Sequence, residues 1–273
     1  MKHKSFSYIP IVLLSIICVY PFWWMLVNSL NTAADILAVP SLLPRSWRWQ
    51  NYAEIFTVQP FARQYVNTLF VSVAGTVGNI LFAALAGYGF ARLKFPGRNT
   101  AFLFLLTALM MPIEVTIIPL FFQMKTLKLL DTFIPLILIP IFASQGAFST
   151  FLMRQYFITM PKELEEAARV DGLSTFSIFS RIIVPNAGPV ISSAAILAFL
   201  SIWNTYLEPL VFINTLKKFT LSLALANFND SYGLPQWHLQ LAATTLSIIP
   251  ILIVYFIFQK RISNAMVNSG MKG

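Results

Sequence analysis

The densest run of ionisable side chains is Met160-Pro-Lys-Glu-Leu-Glu-Glu-Ala-Ala-Arg-Val-Asp-Gly172, followed after nine residues by Ile182-Ile-Val-Pro185. It sits between long apolar stretches. Pro161 is placed to start a helix, where its missing N–H costs nothing. Glu163, Glu165 and Glu166 crowd the first turns, where the helix dipole favours negative charge. Leu164, Ala167, Ala168 and Asp171 recur at helical spacing and share one face. Two small residues in the middle of that face suit close docking in a groove. Gly172 fits the helix stop. Ser174 is placed to cap a second short helix, which Pro185 is expected to end. The chemistry implied is mechanical: a short, stiff, polar helical pair built to be gripped.

Motifs for covalent or nucleotide chemistry do not occur. The chain has no G-x-x-x-x-G-K-[ST], no H-E-x-x-H and no G-x-S-x-G. Its two histidines, His3 and His238, are far apart, and neither reads as catalytic. Cys18 is the single cysteine, so no disulfide within the chain and no cysteine metal site is possible. Glu114 is a lone acid deep in an apolar stretch, between Pro112 and Pro119. Such groups are functional candidates, the alternative being a hydrogen bond to a neighbouring helix.

The elements that must position these residues are membrane spans. Of 273 residues, 57% are hydrophobic and 11% charged, with a mean hydropathy of +0.72. That excludes an ordinary soluble domain. The expected fold is all-α: one polytopic domain over 1–273 with six spans near 9–30, 66–91, 101–124, 133–154, 187–210 and 240–259. A span needs ~20 mostly apolar residues. Pro135, Pro140, Gln145 and Gly146 interrupt the fourth, which is tolerable inside a bundle. Gly75, Gly78, Gly87 and Gly89, with neighbouring alanines, mark the second as a closely packed helix. The basic start and apolar run at the N-terminus read as an uncleaved first span.

The net charge of +9 follows membrane topology rather than nucleic-acid binding. With both termini inside, twelve of nineteen basic residues fall on the cytoplasmic side, clearest at Arg92/Lys94/Arg98 and Lys260/Arg261. The same count places the 155–186 loop in the cytoplasm. The Trp47/Trp49/Tyr52 group in the long outer loop suits a membrane interface.

The loop resembles the Glu-Ala-Ala cytoplasmic loop of permease subunits of ATP-binding-cassette (ABC) importers. Glu166-Ala167-Ala168, Gly172, Ile182 and Pro185 stand at the family spacing, with Val184 where the family usually has Leu. Ala86-Gly-Tyr-Gly-Phe-Ala-Arg92, Asn51-Tyr52 with Asn67-Thr68, Trp203-Asn204 and the tail Gly270-Met-Lys-Gly273 are similar to the carbohydrate branch. The resemblance implies an inner-membrane permease with no catalytic, metal or cofactor site of its own. ATP and Mg would be used by two partner ATPase subunits. A second, non-identical permease and an extracytoplasmic solute-binding protein would complete the assembly, in a lipid bilayer and without nucleic acid. Glu163, Glu166, Ala167, Ala168, Asp171, Gly172, Ile182 and Pro185 would couple it to the ATPases.

Glu114, Trp203, Asn204 and Tyr206 are candidates for the solute route. Trp and Tyr can stack on a sugar ring while Asn bonds its hydroxyls. The alternative is an interfacial aromatic belt with a helix-packing Asn. No Lys or Arg lies between the ends of any expected span, which favours a neutral solute. Glycerol phosphate, a peptide or an amino acid remains an alternative cargo. The alternative from another class is a proton-coupled secondary transporter in which Glu114 and Glu208 titrate.

Overall fold

The computed structural model describes residues 8–38, 40–229 and 232–270, and within them every side chain except those of Ile9 and 258–270. His3 and the expected tail beyond Gly270 lie outside the described residues. So do the side chains of Lys260 and Arg261.

Helix follows helix along the described chain, and an isolated bridge, Asn229 with Pro235, is its extended pairing. We label α1 Ile9–Ser29, α2 Asn51–Val58, α3 Phe61–Arg92, α4 Arg98–Thr107, α5 Ile113–Thr126, α6 Ile134–Phe142 and α7 Ser144–Thr159. There follow α8 Glu163–Val170, α9 Thr175–Ile178, α10 Gly188–Asn204, α11 Leu207–Phe212, α12 Leu221–Leu225 and α13 Trp237–Gly270. Among the described residues, three helices are individually long and apolar enough to cross a membrane: α1, α3 and α13. Up to six crossings result if each of three bent pairs counts as one.

Two expected spans are broken rather than continuous. The third bends by 101° between Arg98–Met110 and Ile113–Thr126. Pro112 disfavours helical geometry at the residue before it, and Met111 is accordingly extended. The fourth bends by 41° at Ala143. There Asn79, fully buried on α3, donates to the Pro140 carbonyl at 2.7 Å. A backbone acceptor inside the bundle is thus satisfied by a neighbouring helix. The expected fifth span also ends early: α10 stops at Asn204, Thr205 is extended, and the short α11 follows.

α3 is the central post, packed against α6, α7 and α10. Its glycines explain how these helices come so close. A Cβ at Gly87 would stand 2.6 Å from the Met153 Cβ, and one at Gly75 would meet Ile202 at 2.9 Å. Gly89 differs from expectation, since a Cβ there would meet nothing within 4 Å. α1 lies outside the packed core with nearly all its side chains exposed, suited to lipid or to another subunit.

Candidate functional site

The polar loop folds as the two-helix unit its sequence suggests. α8 begins two residues after Pro161 and carries Glu163, Glu165 and Glu166 in its first turn. It ends at Gly172, whose φ of +79° is the left-handed conformation that favours glycine. The Gly172 N–H donates to the Arg169 carbonyl and the Leu173 N–H to the Ala168 carbonyl, both at 3.0 Å. This pair of reversed bonds closes the helix and turns the chain sharply. Ser174 caps α9 by accepting from the Ser177 N–H at 3.3 Å.

Pro185 does not end the second helix as expected. The chain widens into a π-turn over Phe179–Ile183, continues helically through Val184–Asn186 and breaks at Ala187. Proline at 185 cannot donate to residue 181 and its ring crowds that carbonyl, so the turn before it opens. Pro185 is exposed on the surface, away from the α8 groove described next.

The sequence-predicted docking face is divided. Ala168 is buried in a core cluster with Ala84, Tyr88, Met153, Phe157 and Ile183. It packs inward and also lines the groove described next. Leu164, Ala167 and Asp171 remain exposed. With Glu163, Ala168 and Ile182 they line a shallow groove of about 410 Å³. Glu166 points to the other side of α8, into a cleft shared with Lys162 and Arg169. Val170 and Phe176, 89% and 70% exposed, add apolar surface to this polar loop. Both were missed, although two large apolar residues beside a helix stop were a readable signal.

Glu165 was also missed. Its side chain is 7% exposed and its Oε1 lies 2.9 Å from Nε of Arg92, itself 5% exposed. The N–H is not aligned with that oxygen, so the contact is a charge pair. The Tyr88 hydroxyl donates to Glu165 Oε2 at 3.3 Å, and Arg92 Nη2 donates to the Met160 carbonyl at 2.5 Å. α8 is thereby fastened to the end of α3. A rigid body pressed on α8 would move the central helix with it.

Residues 79–268 match the family described as binding-protein-dependent transport system inner membrane component. The chain belongs to this family. It is 32% identical over 267 residues to the diacetylchitobiose uptake system permease protein of Streptomyces coelicolor, covering 97% of this chain and 88% of that one. It is 31% identical to an arabinooligosaccharides transport system permease protein of Bacillus subtilis, covering 96% and 93%. The sn-glycerol-3-phosphate transport system permease protein of Yersinia pestis is 30% identical, covering 97% and 96%. Among solved structures, a bacterial ABC transporter involved in the import of the acidic polysaccharide alginate superposes with a TM-score of 0.81. That match is at 27% identity and covers 94% of this chain and 96% of that one. The chain is thus a multi-pass membrane permease of an ABC importer, a class that works with ATPase subunits and a solute-binding protein.

The expected solute-route residues of this permease separate. Trp203 is 3% exposed, stacked on Phe199 at 5.5 Å and edge-on to Tyr65 at 5.9 Å. It is a core residue, and its expected place on the route is corrected. Asn204 is exposed at the end of α10, where its amide donates to the Leu200 carbonyl at 2.8 Å and leaves its oxygen open. Tyr206 follows at 43% exposure. Glu114 is exposed in the first turn of α5, just past the Met111–Pro112 break. Glu208 is half-buried on α11. α11 packs against α5, which places Glu114 and Glu208 on neighbouring helices.

The segment after α11 is fixed by buried polar side chains of α3. Gln64 donates to the Leu216 carbonyl at 3.1 Å, and Asn67 to the Lys217 and Phe219 carbonyls at 2.9 and 3.1 Å. Thr68 Oγ1 accepts from the Leu221 N–H at 2.6 Å. The Asn67-Thr68 pair therefore serves as a clamp for residues 217–221.

Proposed function

We propose that this permease imports a neutral sugar or oligosaccharide as one of two non-identical permease subunits. Both termini and the 155–186 loop face the cytoplasm. Two ATPase subunits hold ATP and Mg and grip α8 by Leu164, Ala167, Val170 and Asp171. A solute-binding protein delivers cargo to the outer surface, where Tyr232, Leu234 and Trp237 stand exposed beyond the clamped segment.

The observation that carries the coupling role is the Arg92–Glu165 pair. A docking helix loosely hung on its loop would absorb motion, whereas one locked to the central helix transmits it. The carbohydrate reading is supported by relatives named for diacetylchitobiose, arabinooligosaccharides and lactose. It is also supported by the polar, uncharged and exposed Asn204 and Tyr206, which can hydrogen-bond hydroxyls. Uptake by the reconstituted complex should be confined to neutral saccharides on a panel with amino acids, peptides, glycerol phosphate and uronate oligomers. Uptake confined to amino acids or phosphate esters would refute the carbohydrate reading and leave the importer class standing.

A further inference from the structure

A cleft of about 850 Å³ opens between the α3–α4 turn and α8. Lys94, Arg98, Lys162 and Arg169 line it, beside the Arg92–Glu165 pair and Glu166. Arg92 is matched by Glu165. Among the described residues, none of the other four cations is in ion-pair contact with an acid, and Glu166 is the acid left to balance them. The start of α4 forms part of the wall: Gly97, with φ +74°, turns the chain there, and Arg98, Asn99 and Thr100 of the first helical turn line the cleft. Helix N-termini of this kind favour anions.

The setting of the cleft points to the source of the anion. The turn joins two membrane-inserted segments, so it lies at the membrane surface. Leu93 and Phe95 are 38% and 42% exposed on it, and Leu103 and Phe104 continue the apolar surface along α4. A soluble phosphate would use only the cations. An anionic lipid would use the cations for its headgroup and the apolar rim for its chains.

We propose that this cleft binds the headgroup phosphate of an anionic phospholipid of the cytoplasmic leaflet, bridging the α3–α4 turn to α8. The proposal rests on the orientation given under Proposed function. The bound lipid would tether the coupling helix to the membrane surface.

The test uses the whole importer complex, purified with equal phosphatidylglycerol and phosphatidylcholine and weighed by native mass spectrometry. The wild type should retain phosphatidylglycerol in preference. Lys94→Gln should lower that retention about five-fold, and Lys94→Gln with Arg98→Gln further, since each surface cation contributes a similar factor. Lys94→Arg should restore it, with the ATPase subunits attached in every variant. Equal retention by wild type and the double variant overturns the proposal. So does equal displacement of the lipid by millimolar inorganic phosphate, which would make the site one for free phosphate. Loss of the ATPases from Lys94→Gln with lipid retention unchanged assigns the cleft to the subunit interface and also overturns it. Absence of ATPases from the wild-type preparation would instead count against the importer assembly, and lipid retention by the permease is read separately.

Discussion

Arg92 Nε and Glu165 Oε1 stand 2.9 Å apart in the interior, joining the last turn of α3 to the first turn of α8. Both charges are almost sealed from water, so each depends on the other. Removing one partner of such a pair costs about 3–5 kcal/mol, because the remaining charge is left buried. Replacing both by apolar residues costs far less.

Glu165→Gln or Arg92→Met should therefore lower the melting temperature of the purified complex and abolish solute-stimulated uptake. Arg92→Met with Glu165→Leu should recover most of the stability but less of the uptake. Differential scanning fluorimetry beside proteoliposome uptake separates the two effects. Full uptake in either single variant at normal abundance would show that α8 need not be locked to α3.

Gly172 offers a cleaner probe of the turn. A Cβ there would meet nothing within 4 Å, so the penalty of substitution is conformational. Gly172→Ala should cost about 1–2 kcal/mol through the left-handed backbone. Gly172→Asn should cost less, since Asn tolerates that region. Insertion should stay normal while uptake falls in the order Gly, Asn, Ala, read as initial rates at matched membrane abundance.

The glycines of α3 make opposite predictions two residues apart. Gly87→Ala forces a Cβ to 2.6 Å from that of Met153 and should destabilise the bundle by about 1–3 kcal/mol, the usual cost of overpacking. Gly89→Ala enters open space and should be neutral or slightly stabilising, since Ala is the better helix former. Detergent thermal stability of the two variants decides this, and equal effects would contradict the packing described.

Asp131 ties the α5–α6 turn to the segment after α11. Its carboxylate accepts from Lys218 Nζ at 2.8 Å, the Thr215 hydroxyl at 2.7 Å and the backbone N–H groups of Asn214 and Thr215. The Lys218 bond first, then those of Thr215, hold its carboxyl far below the usual range. A carboxyl depressed on folding stabilises fully above its unfolded pKa, about 3.9, and loses that contribution as pH falls through the folded value. Asp131→Asn keeps a residue suited to the φ of 56° and removes the charge. It should lower the melting temperature equally from pH 8 to about pH 5, with the deficit shrinking only in strong acid. A deficit that appears only below neutrality would contradict this.

Legibility in the sequence followed the physics of each element. The spans α1, α3 and α13 were readable because their apolar runs are unbroken. The stop at Gly172 and the cap at Ser174 were readable because turn chemistry is local. The break at Met111–Pro112 was not, although Pro112 was in view, since membrane helices often absorb a proline. The burial of Trp203 was not readable either. Residue type reported an aromatic, but the face it turns to is set by packing against Phe199 and the Tyr65 of α3. Glu165 looked like any acid in a first helical turn, because its partner lies 73 positions away in sequence.

The central claim, that α8 is the face gripped by the ATPases, is tested most directly by site-specific crosslinking. Cys18 is replaced by Ser, Ala167 by Cys, and a photoactivatable benzophenone maleimide is attached in the assembled complex. Illumination should join this chain to an ATPase subunit, with a yield that changes on adding ATP. A complex that still drives uptake, carries the label at 167 and yields no crosslink to an ATPase would contradict the account.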